Sequence, residues 1–434
     1  MFDWKMEYRK RLIKLDEALS LIKPGSRIVT SMACMEARGL LENLHTTAER
    51  VEDVAVATCL NLGDYLFFTN KEYEGIFLNE SWFHSLGARK AASQGLKTVT
   101  YIPNNLHSAG MDRILANRPD IFWGVASPMD RNGYLTLSLS NVYERDMVEN
   151  APIVVLEVNQ KTPRTHGDTQ VHISEVDHII ENDFDIPELP DSEPDATEMQ
   201  IAAHISALVE DGSTLQIGIG GIPNAVAKLM ENKRELGIHT EMFTESMIHL
   251  LEKGAVTNRK KTLWPGKFIA AFAFGSKKMY DFIDDNPGVF LLRGKYVNNP
   301  YVVSQNEKMV SINTAITVDL TGQVCSEAIG TRHYSGTGGQ LDTHRGASMS
   351  RGGKGIIALR STAKKGTVTT IVPMLPMGSP VTVPRQDVDY IITEHGVAHL
   401  RGKNVFQRVE ALLEIANPDF RKQLRREAQE IGLI

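Results

Sequence analysis

Two places in this 434-residue chain share one local design. A helical segment ends at Pro24-Gly25-Ser26 and runs into the β-branched stretch Arg27–Ser31. A second ends at Asp211-Gly212-Ser213 and runs into Thr214–Ile219. Each half then carries a turn glycine at a matched distance. Gly133 follows Gly25 by 108 residues, and Gly322, in Asp319-Leu320-Thr321-Gly322-Gln323, follows Gly212 by 110. A chain built this way reads as two copies of one α/β unit. Between them, Ile186–Thr197 (IPELPDSEPDAT) is too rich in Pro, Asp and Glu to bury a core and reads as a linker. The expected domains are 1–190 and 195–434. The second is enlarged by glycine-rich material ahead of a late strand, Asp387–Thr393.

The strands alternate with helical periods. Val51–Cys59 and Thr98–Pro103 read as strands, and Pro152–Val158 as one buried on both faces. Phe122–Ser140, with a turn at Arg131-Asn132-Gly133, reads as a hairpin. Asp16 is placed to cap the first long helix. Another helix is expected from Glu198, and Asn417 with Pro418 opens a helix near the C-terminus.

Composition narrows the function classes. Hydrophobic residues make up 42% and charged residues 23%, a globular balance. The 47 basic and 53 acidic residues leave a net charge of −6, with no basic excess pointing to nucleic acid or an anionic membrane. No apolar run approaches the ~18 residues of a membrane helix. Cys34, Cys59 and Cys325 lie far apart, without zinc-like spacing, so a reducing cytoplasm is expected. Met1–Lys23 lacks the apolar core of a secretory signal, and its acids argue against a transit peptide.

The sharpest local motif is Gln216-Ile217-Gly218-Ile219-Gly220-Gly221-Ile222-Pro223. A strand runs through glycines into a helix start, where backbone N–H groups suit an anion or an oxyanion. Pro223 stands where a dinucleotide fingerprint needs its last glycine, and no Walker A sequence exists. From spacing alone, a tight packing turn accounts equally well for the motif. A second cluster, Ser335-Gly336-Thr337-Gly338-Gly339-Gln340, leads into Arg345, Arg351 and Lys354 and reads as a solvated loop with cations. The stretch Gly237–Glu245 reads as a strand with Glu241 and Glu245 at its C-terminal end, the ligand edge of open α/β sheets. Either carboxylate can be a base, a nucleophile or a plain solvated group, and Glu245 can simply favour a following helix start. His395 and His399 have metal-pair spacing, but without a matching glutamate and with Gly396 between them. Cys34 sits among apolar neighbours that raise a thiol's pKa, so it reads as a core residue.

The motifs QIGIGGIPNAV, GIHTEM, AFAFGSKKMYDFIDDNP, VDLTGQVCSE, SGTGGQLDTHRGAS and VDYIITEHGVAHLRGK, in that order, resemble the acetyl-CoA hydrolase/transferase family of class I CoA-transferases. SPMDRNGY, VLEVN and GDTQVHISEVD extend the match through the first half. The nearest look is to 4-hydroxybutyrate and butyryl-CoA:acetate CoA-transferases. The resemblance implies two similar open α/β domains and ping-pong transfer of CoA from a short-chain acyl-CoA to acetate or another small acid. It implies a glutamyl-CoA thioester, and its HTEM motif puts the nucleophile on Glu241. It further implies that Gly218, Ile219, Gly220, Gly221, Ile222, Ile316, Gly338 and Gly339 contact CoA. CoA is then a substrate, with no metal and no tightly bound cofactor, and a homodimer or higher homo-oligomer is implied. The loops Met32–Met35 and Asn61–Gly63 are expected to shape the acyl pocket and do not match the nearest relatives. Two rivals stand beside this reading: an acyl-CoA hydrolase using the same glutamate, and a non-catalytic ligand-binding protein on the same fold.

Overall fold

The computed structural model describes residues 3–189 and 193–434. The chain forms two compact units, Met1–Leu189 with Ala270–Tyr296, and Pro190–Ile269 with Val297–Ile434. Of the linker, residues 190–192 lie outside the described residues.

The first unit is built on a parallel sheet. Its strands are β1 (Arg27–Thr30), β2 (Val54–Cys59), β3 (Phe77–Phe83), β4 (Val99–Tyr101), β5 (Ile121–Ala126), β6 (Ile153–Val158) and β7 (His178–Glu181). They lie in the order β7-β6-β5-β1-β2-β3-β4, every pair parallel. β2 and β5 are buried along their whole length and β6 along all but its first residue, as expected where helices cover both sheet faces. Leu40, Leu41, Leu44, Phe67, Phe68 and Trp123 belong to the core there.

The segment Ala270–Tyr296 belongs to this unit although it lies far past the linker. Charge ties it in. Arg293 meets Asp146 at 2.8 Å and Glu149 at 2.6 Å, and also pairs with Asp168. Lys295 adds a contact to Asp146 at 2.6 Å. Asp146 is only 2% exposed, so its charge depends on these partners.

The second unit repeats the plan. Its strands are β8 (Thr214–Ile217), β9 (Gly237–Phe243), β10 (Met309–Thr314), β11 (Lys354–Ala358), β12 (Tyr390–Thr393) and β13 (Gly396–His399). The order is β13-β12-β11-β10-β8-β9, parallel except for the β12–β13 pair. In both units the first strand lies between the second and a third that follows a crossover, and further strands extend the same side, two in the first unit and three in the second. The repeat inferred from turn glycines is therefore a repeat of topology. Gly25 and Gly212 take φ +78° and +77°, and Gly133 and Gly322 take +87° and +94°, values where a side chain is strained.

Several local expectations need correction. Lys14, not Asp16, is the N-cap of the helix Leu15–Ser20, and Glu17 closes back onto its backbone. The turn at Gly133 exists, but no hairpin forms between the strands expected there. β5 pairs only with parallel neighbours, and Tyr134–Thr136 pairs with Gln170–His172. The glycine-rich stretch after Ser335 is not a solvated loop. Gln340–Met349 is a helix with seven buried residues, and Lys354 begins the core strand β11. The supposed insertion thus supplies part of the repeated unit. The helix expected from Glu198 spans Ala196–Leu208, with Asp195 and Glu198 forming a capping box. Asn417 caps Pro418–Glu430 as expected. Among the described residues no helix is long and apolar enough to cross a membrane.

Candidate active site

The C-terminal edge of the second unit's sheet gathers the singled-out residues. β9 and β8 pair in parallel through Thr214↔Gly237 and Leu215↔Ile238, and β8 pairs with β10 as far as Ile217↔Ile312. Glu241 therefore emerges near the level where β8 gives way to Gly218. Ile316 follows β10, half-buried, its N–H bonded to the Cys325 carbonyl. The helix Gln340–Met349 starts at the same edge, because Gln340 Nε2 donates to the Thr314 carbonyl at 3.1 Å. A buried polar network fixes that helix on the sheet. Ser311 Oγ donates to Gln216 Oε1 at 2.6 Å and to Thr343 Oγ1 at 3.0 Å, and Asn313 Nδ2 reaches the same two atoms.

Glu241 is half-buried between sealed neighbours on its strand. Asn298 Nδ2 donates to Glu241 Oε2 at 2.7 Å, and the Gly339 N–H bonds the same carboxylate. Burial pushes the Glu241 carboxyl up to about 7, Asp342 nearby adds to the rise, and the two N–H donors oppose it. Gly339 has no room for a side chain: a Cβ there would run into the Glu241 carboxylate and the Asn298 amide. Gly338, at φ +55°, turns the chain so that the Gly339 N–H faces the carboxylate. Glycine at these two positions follows from geometry, which the spacing could not show.

The first glycine cluster is more mixed. Gly220 has φ +111° and open space where a Cβ would go, and Ile219 is 46% exposed beside it. Gly218 meets only the Ile312 carbonyl, at 3.8 Å. Gly221 is different, because a Cβ there would strike the Glu198 carboxylate, so packing alone demands glycine. Ile222 is 7% exposed and faces the core. The helix Gly221–Leu229 has no side-chain cap at its N-terminus. Backbone donors at such an end suit an anionic group.

The other candidates have other roles. Glu245 opens the helix Glu245–Glu252, where its charge suits the N-terminal dipole. Gly396–His399 is a strand, so the helical pairing of His395 with His399 does not form; His399 Nε2 meets Asp389 at 3.0 Å instead. Among the described residues no three His, Cys, Asp or Glu side chains gather as a metal site. Cys34 is buried with its thiol pushed up to about 12 by desolvation, the inert behaviour expected of it. Asn298 escaped the sequence reading. It stands 57 residues from Glu241, in an Asn298-Asn299-Pro300 run that looks like a helix start.

Two family models cover the chain: the acetyl-CoA hydrolase/transferase N-terminal domain at residues 2–189 and the C-terminal domain at residues 275–428. The succinyl-CoA:cyclohexane-1-carboxylate CoA transferase of Geobacter metallireducens is 41% identical, over 99% of this chain and 98% of its own length. The 4-hydroxybutyrate coenzyme A transferase of Clostridium kluyveri is 39% identical, over 98% and 99%. The crystal structure of 4-hydroxybutyrate CoA-transferase from Porphyromonas gingivalis superposes with a TM-score of 0.81 at 35% identity, covering 99% of this chain and all of that one. The chain belongs to the acetyl-CoA hydrolase/transferase family and has the class I CoA-transferase fold.

Proposed function

We infer that this chain is a CoA-transferase. It moves CoA from a short-chain acyl-CoA, of the butyryl or 4-hydroxybutyryl class, to acetate or another small carboxylic acid. The observation that carries the reading is the half-buried Glu241 carboxylate, held by Asn298 Nδ2 and the Gly339 N–H at the sheet's C-terminal edge. Both donors and the carboxylate fall in the second unit.

On this reading the steps are those the family resemblance implies. Ionised Glu241 attacks the thioester carbonyl, and CoA leaves as its thiolate, giving a mixed acyl–glutamyl anhydride. The thiolate then attacks the glutamyl carbonyl and expels the first carboxylate, leaving a glutamyl-CoA thioester. A second carboxylate attacks that thioester and repeats the two steps in reverse, so the thioester's free energy passes to the new acyl-CoA. Each attack on the glutamyl carbon places negative charge on its oxygen. Asn298 Nδ2–H and the Gly339 N–H already point at that oxygen and stabilise the charge without reorganising. A carboxyl with a pKa near 7 is a stronger nucleophile than an ordinary glutamate, and part of it is ionised at neutral pH. Gly218, Ile219, Gly220 and the uncapped helix start after them hold CoA, with Ile316 as an apolar contact; Gly221 and Ile222 complete the turn. No metal or tightly bound cofactor takes part. The cytoplasm suits three buried cysteines outside any disulfide, and the enzyme works as a homo-oligomer.

Two relatives that transfer CoA to or from four-carbon acids support the substrate class: the Clostridium kluyveri enzyme above, and a probable butyrate:acetyl-CoA coenzyme A-transferase of Syntrophomonas wolfei, 38% identical. Incubation with butyryl-CoA followed by borohydride tests the covalent step. Wild type should lose reactivity and show a mass change at Glu241, and Glu241→Ala should not. Equal thioester loss with and without acetate would replace transfer by hydrolysis, because only exclusion of water separates the two.

A further inference from the structure

We propose that His239 is a positioning residue for the nucleophile: its Nε2–H, donating to the Val297 carbonyl at 2.8 Å, fixes the peptide that carries Asn298. This rests on the reading of Glu241 as the nucleophile. His239 and Glu241 are two residues apart on β9, so their side chains share one face of the sheet. His239 is 1% exposed. Among the described residues its one short contact is the Val297 oxygen, which can only accept, so the ring proton sits on Nε2. Nδ1 is then an acceptor, and Asn306 Nδ2 faces it at 3.4 Å. Desolvation, with the Lys261 ammonium nearby, holds the ring neutral by pushing its pKa down to about 3. The donor is therefore present at every working pH.

The neighbouring residue shows why such a device matters. Asn298 is fully buried and gives its amide N–H to Glu241, yet its Oδ1 is buried with no hydrogen-bond partner among the described residues. No contact on that oxygen locks the amide. The placement of Nδ2 must come from the backbone at 297–298, and the bond from His239 is what ties that backbone to the nucleophile's own strand. The result is a closed loop, from Glu241 through Asn298 and Val297 to His239 and back along β9.

A pair of polar variants tests this. Gln at 239 carries an amide donor near the place of Nε2, whereas Asn is one methylene shorter and leaves the Val297 oxygen unmet. His239→Asn should lower kcat and the rate of glutamyl-CoA formation by about 10- to 100-fold, the cost of misplacing a reacting group by about an ångström. KM for acyl-CoA should change by less than about threefold, and His239→Gln should recover most of the rate. In a double-mutant cycle, His239→Asn added to Asn298→Ala should cost little beyond Asn298→Ala alone, because both act through one contact. His239→Asn at the wild-type rate, failure of Gln to rescue, or fully additive losses would each overturn the proposal. If wild type itself forms no adduct, the assignment of Glu241 fails instead, which separates the two conclusions.

Discussion

Replacing Glu241 by Gln should make the protein more stable, and only above a certain pH. The Glu241 carboxyl is raised from 4.5 to about 7, chiefly by burial. The folded state therefore holds this proton more tightly than the unfolded chain does. The group's contribution is fully present below about pH 4.5 and is lost as pH rises through 7. Raising the carboxyl from 4.5 to about 7, at about 1.36 kcal/mol per tenfold change in proton affinity, corresponds to a penalty of about 3 kcal/mol at pH 8 and under about 1 kcal/mol at pH 5. Gln keeps the shape and an oxygen for Asn298 but cannot ionise, so it escapes the penalty. At the sensitivity of a unit of about 200 residues, the melting temperature of the variant should exceed that of wild type by about 6–12 °C at pH 8. The gap should shrink steadily toward pH 5. Thermal scans of both full-length proteins at four pH values between 5 and 8 measure it, and any packing difference between Gln and Glu cancels in the trend. A gap that is flat across this range would refute the claim that burial strains the Glu241 charge.

Three further outcomes are expected. Gly339→Ala forces a methyl into the Glu241 carboxylate and the Asn298 amide, so kcat should drop by about 100-fold with KM for acyl-CoA little changed, measured by steady-state kinetics. Asn298→Ala removes the side-chain donor that holds the carboxyl down, so the pH midpoint for adduct formation should move upward from about 7; an unmoved midpoint would exclude the contact as a tuning element. Arg293→Ala strips the buried Asp146 of one of its two cationic partners, leaving Lys295, and should destabilise the first unit by about 1–3 kcal/mol, read by denaturant unfolding with CoA transfer as the control for residual fold.

The sequence revealed the repeat because backbone constraints leave marks in residue identity. Gly25, Gly212, Gly133 and Gly322 all sit at positive φ, where few other residues stand. β6 was readable because a strand buried on both faces cannot hide its apolar run. The stretch after Ser335 was misread because glycines and cations looked like a solvated loop. In the structure those glycines serve a crowded helix start, and the helix is held by distant partners that local pattern does not encode: Ser311 meets Thr343, and the Asp389 N–H donates to His344 Nε2. The hairpin expected around Gly133 failed for a similar reason: the turn is local, but the partner of Tyr134–Thr136 lies about 35 residues downstream at Gln170–His172. The register of β9 placed Glu241 at the right edge. Nothing local pointed to Asn298, whose link to Glu241 exists only after folding.

The duplicated topology has a consequence for how the two copies have diverged. With Gly25 aligned on Gly212, the registers Arg27↔Ala55 and Thr214↔Gly237 make Ala55 the counterpart of Gly237. Four residues further on, Cys59 takes the place of Glu241. It is 2% exposed. Met32 takes the place of Ile219, and its N–H is already spent on the buried Glu144 carboxylate at 3.1 Å. Tyr143, just before the helix Glu144–Asn150, fills the neighbouring space, fully enclosed. One copy thus keeps a half-buried acid between a side-chain donor and a backbone donor, and the other fills the same corner with its own side chains. The corner that holds Glu241 in the second unit is closed in the first by Cys59, Tyr143 and Glu144, so one repeated topology carries two different interiors at the same position.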